Sequence, residues 1–390
     1  MTTQTKTNWQ EVKLGEVISV NPDSVGKDFP LEQILYTDIS SVGTGVADDP
    51  IEMPFSEAPS RARRLVKDGD TILSTVRPNR RSFLYIKNPE NNRVVSTGFA
   101  ILRARDKIDS RFLYYLISNQ PFTDYLTLHA KGAAYPAVDE DIISNADIVI
   151  PEIKTQKQIA DVLSAYDNLI ENNTKRIKIL EEIAQAVYKE WFVYFRFPGH
   201  EKVKMVDSKT EFGEIPKEWE VKKLGDKINI LRGKNITKNT IVPGKVPVVA
   251  GGIGPAYFHN KANVEGPAIT VSASGANSGY INLYHEDIWA SDCSYVNKVS
   301  TPFVFYYFLI LKIRQAEVTG LQRGSAQPHV YPKDLARLMI VDPPEGLVRS
   351  FEERAESIFG MINNFQLQNR ELRQARDLLL PKLVGGKIRV

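Results

Sequence analysis

Two stretches of the chain carry seam-forming residues at a strict 4-3-4-3 spacing, and both are poor in Gly and Pro and rich in Glu, Lys, Gln, Leu and Ile. The first series is Ile159, Leu163, Tyr166, Ile170, Asn173, Ile177, Leu180, Ala184, Val187 and Trp191. The second is Phe351, Ala355, Ile358, Ile362, Phe365, Asn369, Leu372, Arg376, Leu379 and Leu383. Heptads sustained this far predict a coiled-coil seam rather than the broader apolar face of an ordinary surface helix. A stripe this narrow needs a similarly narrow partner, so the two helices are expected to pack on each other. The rest of the chain follows a different pattern. Runs such as TILSTVRPN from Thr71, PVVAGGIGPAYF from Pro247 and NVEGPAITVSASGANSGYINLY from Asn263 are short β-type segments punctuated by turn residues. FVFYYFLIL, Phe303 to Leu311, is apolar all round but only half the ~20 residues a membrane span requires, and it predicts a buried helix.

The chain is written twice. Trp9 followed by VKLG has its partner in Trp219 followed by KKLG, and DGDTIL around Gly69 resembles EGPAIT around Gly266. Tyr114 and Tyr115 match Tyr306 and Tyr307, KGAAYPAV (Lys131 to Val138) matches RGSAQPHV (Arg323 to Val330), and IVIP ending at Pro151 matches MIVDP ending at Pro343. Five patches in one order establish an internal repeat of body and helix. The expected class is α+β, mixed: two α/β bodies separated by two long helices that form an antiparallel coiled coil with pseudo-two-fold symmetry. The expected bounds are a first body over 1–149, a helix over 150–197, a linker over 198–218, a second body over 219–342, a second helix over 343–385 and a tail over 386–390. The bodies are expected at opposite ends of the coil, whose seam would be ~48 Å long. Centring the two seams pairs Ile159 with Leu383, Trp191 with Phe351, and Asn173 with Asn369.

Charge refines this only locally. The net charge of +3 is too small to announce a nucleic-acid binder. Between Arg61 and Lys87, however, eight basic residues face only Asp68 and Asp70, and between Lys222 and Lys245 seven face only Asp226. The single cysteine, Cys293, cannot form an internal disulfide, and MTTQTKTNWQ has no leader character, which together predict a cytoplasmic protein.

The openings WQEVKLGEV and WEVKKLGDK, the KGAAYPAV and RGSAQPHV pair, the seam helix ending YKEWF, the inter-repeat GEIPKEWEVKKLGD and the tail LLLPKLVGGKIRV, taken in their order along the chain, resemble the specificity subunits of Type I restriction-modification systems. The resemblance implies two target-recognition domains, each reading half of a split double-stranded DNA site. It implies paired helices that bind two methyltransferase subunits, and an assembly that includes restriction subunits. It also implies that S-adenosylmethionine, ATP and Mg²⁺ belong to those partners, with no cofactor and no catalysis in this chain.

The residues themselves offer little chemistry. DPPE, Asp342 to Glu345, lacks the aromatic fourth residue with which an amino-methyltransferase loop stacks on a flipped base, and it predicts a strand end running into a helix. Gly251, Gly252 and Gly254 lack phosphate-loop spacing, the five histidines show no i,i+4 pairing, and no metal site is expected. A self-contained adenine methyltransferase and a coiled-coil interaction protein without DNA function are the alternative readings. The candidate DNA contacts are Arg61, Arg63 and Arg64; Arg77, Asn79, Arg80 and Arg81 in TVRPNRRS; Lys234, Asn235 and Lys238 in RGKNITKN; and Ser272, Ser274, Asn277 and Ser278 in a Gly-rich turn. Arg suits guanine O6 and N7, and Asn suits adenine N6 and N7.

Overall fold

The computed structural model describes residues 9–26, 30–324 and 327–390. The first eight residues, on which the leader argument partly rests, and Ser325 and Ala326 of RGSAQPHV lie outside the described residues. The chain divides into two compact units: one runs up to Glu171 and takes in Asn369–Val390, and the other is Asn172–Gln368.

In the first unit, β1 (Gln10–Lys13) runs into a short α1 (Leu14–Val17) and pairs antiparallel with β10 (Asp147–Ile150). A four-stranded sheet has the order β2 (Ile18–Val20), β9 (Phe99–Ala104), β6 (Thr71–Ser74), β7 (Phe83–Tyr85). A second sheet has the order β4 (Ile51–Pro54), β3 (Gln33–Thr37), β8 (Arg93–Ser96), β5 (Ala62–Leu65). Helices α2 (Ser110–Ser118), α3 (Gln120–His129) and α4 (Glu140–Ser144) precede β10, and the long α5 (Ile153–Phe192) follows it.

The second unit repeats the plan. The expected linker over 198–218 instead contains a hairpin, β11 (Met205–Asp207) with β12 (Glu214–Pro216), because Phe197 and Ile215 bury themselves in the apolar core around Trp219. Then β13 (Glu220–Lys223) leads into α6 (Leu224–Lys227) and pairs with β21 (Met339–Asp342) as β1 pairs with β10. The four-stranded sheet is β14 (Leu231–Arg232), β20 (Cys293–Asn297), β17 (Ala268–Ser272), β18 (Ile281–Tyr284), and the other sheet, β16 (Pro255–His259), β15 (Pro243–Val249), β19 (Trp289–Ala290), has three strands. Helices α7 (Val304–Ile313), α8 (Gln315–Gly320) and α9 (Pro332–Leu335) are followed by the long α10 (Glu345–Val384). The all-apolar run from Phe303 is α7, buried from Val304 to Leu311. Among the described residues, no helix is long and apolar enough to cross a membrane.

The repeated Leu-Gly has a packing cause. A Cβ on Gly15 would meet Ser144 Cβ at 2.9 Å, and one on Gly225 would meet Ala336 Cβ at 2.7 Å. Only glycine lets each opening turn lie against the short helix that precedes the closing strand.

Each unit holds an antiparallel pair of helical segments, one from α5 and one from α10. In the first unit Ile159, Leu163 and Leu383 share one core, and Arg376 forms an ion pair with Asp167 at 2.5 Å. In the second, Trp191 packs edge-on against Phe351 with ring centroids 5.8 Å apart, as the centred register requires, and Arg176 lies over Phe365. All of the predicted seam positions are buried or half-buried. Asn173 and Asn369 are both buried, and Asn173 Nδ2 donates to Gln368 Oε1 at 3.4 Å. The long helices are also shorter than the 150–197 and 343–385 expected: Asp147–Ile150 is committed to strand pairing, and Pro343 and Pro344 delay the start of α10.

The two copies cap their Tyr-Tyr helices differently. Asp109 is the N-cap of α2 and accepts from the N–H groups of Arg111 and Phe112, both at 3.0 Å. The residue before α7 is Phe303, which has no such oxygen. Glu352 of α10 supplies it instead, accepting from Phe305 N at 2.9 Å and Tyr306 N at 2.8 Å. Burial outweighs these bonds and pushes the Glu352 carboxyl up to about 7.

Candidate nucleic-acid interface

The loops that stood apart in the sequence occupy equivalent places in the two bodies. In the first, the chain leaves β6 into a turn over 74–82. Ser74 N donates to Ser82 O at 2.8 Å, Arg77 N donates to Pro136 O at 2.7 Å, and Val138 N donates to Thr75 O at 2.8 Å. In the second, the chain leaves β17 into a turn over 272–280. Ser272 N donates to Tyr280 O at 2.9 Å, Gly275 N to Pro328 O at 3.1 Å, and Val330 N to Ala273 O at 3.0 Å. The basic loop TVRPNRRS and the Gly-rich turn SASGANSG are thus one structural device. Each is laced to the repeated end segment, Lys131–Val138 or Arg323–Val330. Asn79 and Asn277 hold the same place in it, and both are exposed.

The frame demands left-handed backbone at two positions. Gly275 and Gly279 supply it in the second body, with φ of +81° and +85°; Arg77 and Arg81 adopt it in the first, with φ of +49° and +57°. Arg81 is tied down: its guanidinium donates to Gln120 Oε1 and, at 2.7 Å, to Ser118 O. Such bonds fix the loop onto α2 and α3 and spend the fork that was expected to face DNA. Arg77 lies over the ring of Tyr135 at 4.7 Å, and Tyr135 is 60% exposed. Asn79 and Arg80 are exposed beside it.

The candidate arginines of the 61–64 segment have internal partners. Arg61 joins Asp38 at 2.8 Å and donates to the Tyr36 hydroxyl at 3.1 Å. Arg63 donates to Ala62 O and lies over Phe55. Arg64 faces Glu140 at 3.8 Å, and burial pulls its pKa below the usual arginine value. Arg61 O accepts from Thr97 N, and Gly98 O from Thr75 N, so Arg61 and the turn share one edge of the body. Lys131, in the exposed end loop, pairs with Asp139 at 2.8 Å and holds that carboxyl below the usual carboxylate range.

In the second body, Asp292 links two candidate sets. It pairs with Arg232 at 2.6 Å and accepts the Ser274 hydroxyl. Lys234 N donates to Ala290 O, two residues before Asp292, which leaves Lys234, Asn235 and Lys238 exposed along the adjoining edge. Ser272 and Ser278 differ from expectation. They are 3% and 1% exposed, because strand β17 is covered on both faces and Ser278 turns inward, so neither hydroxyl reaches the surface. Ser274 and Asn277 remain the polar groups of that turn.

Sequence reasoning missed Tyr135, Lys131 and Arg323. Arg323 pairs with Asp334 at 2.8 Å in the same way that Lys131 holds Asp139. His329, which stacks on Tyr331, and Gln327 also border the second turn. The available signal was the repeat itself, since Tyr135 and Gln327 occupy one slot of the duplicated segment. DPPE is structural as expected: Asp342 ends β21 and is held by Lys222 and Lys227, each at 3.1 Å. Among the described residues, no three His, Cys, Asp or Glu side chains cluster in a way that could hold a metal ion.

A duplicated frame that presents different side chains on equivalent turns defines a recognition protein with two reading heads. The family model described as Type I restriction modification DNA specificity domain matches residues 6–182 and 216–346, and the chain belongs to that family. A relative from Methanocaldococcus jannaschii, the Type I restriction enzyme MjaIX specificity subunit, is 29% identical over 82% of this chain and 78% of its own length. The HindI specificity subunit of Haemophilus influenzae is 23% identical over 98% of this chain and its whole length. The crystal structure of a Type I restriction-modification S subunit from M. genitalium shares the fold, with a TM-score of 0.60 at 16% identity over 98% of both chains.

Proposed function

We propose that this chain is the DNA-specificity subunit of a Type I restriction-modification complex, in which each body reads one half of a split double-stranded target. One observation carries the reading: the turns over 74–82 and 272–280 are laced identically to the repeated end segments yet display different side chains. A frame kept constant while its displayed residues differ is what two half-sites of different sequence require. Half-buried Arg77 and Ser274 and exposed Asn79, Arg80, Lys234, Asn235, Lys238 and Asn277 supply donors for bases and phosphates. The helical segments recruit two methyltransferase subunits, and restriction subunits join that assembly. The chain itself carries no cofactor in this reading; S-adenosylmethionine, ATP and Mg²⁺ are used by the partners.

The test is a body exchange. The chain is co-expressed with its methyltransferase partners, methylated adenines are mapped across a genome, and residues 1–149 are then replaced by the equivalent body of a relative. One half of the methylated motif is expected to change while the other persists. A change in both halves, or in neither, would refute independent reading by the two bodies.

A further inference from the structure

Two positions in the turn over 74–82 require left-handed backbone, and the second copy answers with glycine at both. The first copy places arginine at both, which costs backbone energy that glycine does not incur. Arg81 has a structural reason, its bonds to Gln120 and Ser118. Arg77 has none of that kind. Among the described residues its guanidinium donates no hydrogen bond, and its Cζ lies over the Tyr135 ring, 4.7 Å from the centroid.

We propose that Arg77, laid across the ring of Tyr135, is the guanine-reading side chain of the first body. This rests on the proposed DNA-reading role and assigns one residue within it. The ring covers one side of the guanidinium and takes up none of its in-plane N–H groups, and two parallel donors of that kind match guanine O6 and N7 in the major groove. It also limits the rotamer freedom that the arginine would otherwise lose on binding. The neighbouring arginines are less suited to this task. Arg61 is committed to Asp38, Arg64 faces Glu140, and exposed Arg80 has no aromatic shelf, which suits it to phosphate. In the second body the same two slots hold Gly275 and Gln327, so the device is one-sided.

The experiment maps methylated adenines for complexes assembled with wild-type chain, Arg77→Gly, Arg77→Lys, Tyr135→Phe and Tyr135→Ala. Arg77→Gly installs the residue that the second copy uses at this backbone position, so the turn is preserved. The first half-site of the wild type is expected to contain a required G·C pair. Both Arg77 variants should relax discrimination at that pair roughly 10- to 100-fold, the range of a lost bidentate contact. Tyr135→Phe should keep the discrimination and Tyr135→Ala should weaken it, with the second half-site unchanged throughout. A first half-site with no required G·C pair, or full discrimination by Arg77→Lys, which keeps the charge but not the fork, would overturn the assignment. In either case a well-defined wild-type motif leaves the DNA-reading role standing, whereas a wild-type complex with no defined motif would defeat that role itself.

Discussion

Replacing Glu352 by Gln should stabilise the second unit at high pH and leave it nearly unchanged at low pH. Glu352 is 9% exposed, its carboxyl caps the buried start of α7, and its pKa rises from an ordinary 4.5 to about 7. An acid whose folded pKa is raised contributes stability that is fully present below the unfolded pKa and is lost as pH rises through the folded one. The window is therefore about pH 4.5 to 7, and the loss across it is about 3 kcal/mol. The substituted amide would be neutral throughout, with one oxygen left to accept from Phe305 N or Tyr306 N, much as the protonated acid has. The two proteins should then match near the bottom of the window and differ by about 3 kcal/mol at pH 8, with the variant more stable. Lys298 and Glu356 also act on this carboxyl, and His285 packs on Phe305 and Phe359. Burial lowers the His285 pKa, so its contribution is lost as pH falls, the opposite sense, and it acts equally in both proteins. Urea unfolding followed by tryptophan fluorescence suits the measurement, because Trp191, Trp219 and Trp289 lie in the second unit and only Trp9 in the first. Parallel stability curves for the two proteins, or a variant less stable at pH 8, would refute the argument.

Two further outcomes are expected. Arg376→Ala removes the partner of Asp167, which would keep only the Tyr115 hydroxyl at 2.6 Å; the first unit should lose about 2 kcal/mol, seen as faster hydrogen exchange in α2, and unchanged exchange would show the pair to be dispensable. Burial pushes the Cys293 thiol up to about 12, so a thiol reagent at pH 8 should label it only when β20 opens, and immediate labelling of the folded chain would contradict that burial.

Most of the fold was legible because it is carried by period and repetition. The seam positions are buried or half-buried in the structure because a 4-3-4-3 stripe has one way to leave water, and the paired openings became paired strands because each Leu-Gly needs the same close approach. The hairpin at Met205–Pro216 was not legible, since its strands are three residues long and their exposed Met205 and Val206 carry no clean alternation. Within the interface, composition pointed to the right loops but not to the right atoms. Arg81 and Ser278 look as available as Arg77 and Asn277 in the sequence, and only backbone hand and strand cover separate them. Tyr135 has Gln327 as its counterpart, and that difference within a common frame is what gives each turn its own surface.

The division of the long helices has a consequence for the order in which the chain can acquire its structure. The second unit is a continuous segment, Asn172–Gln368, and every residue of its core is present once that segment has been made. The first unit is not continuous: Leu380, Leu383 and Val384 belong to the same core as Leu14, Ile18 and Phe112. That core is therefore completed only by residues about 370 positions later, a contact of long sequence separation and so slow to form. During synthesis from the N-terminus, the half of the protein made first is the half completed last. Until then its nascent apolar surface stays open to chaperones and to other chains.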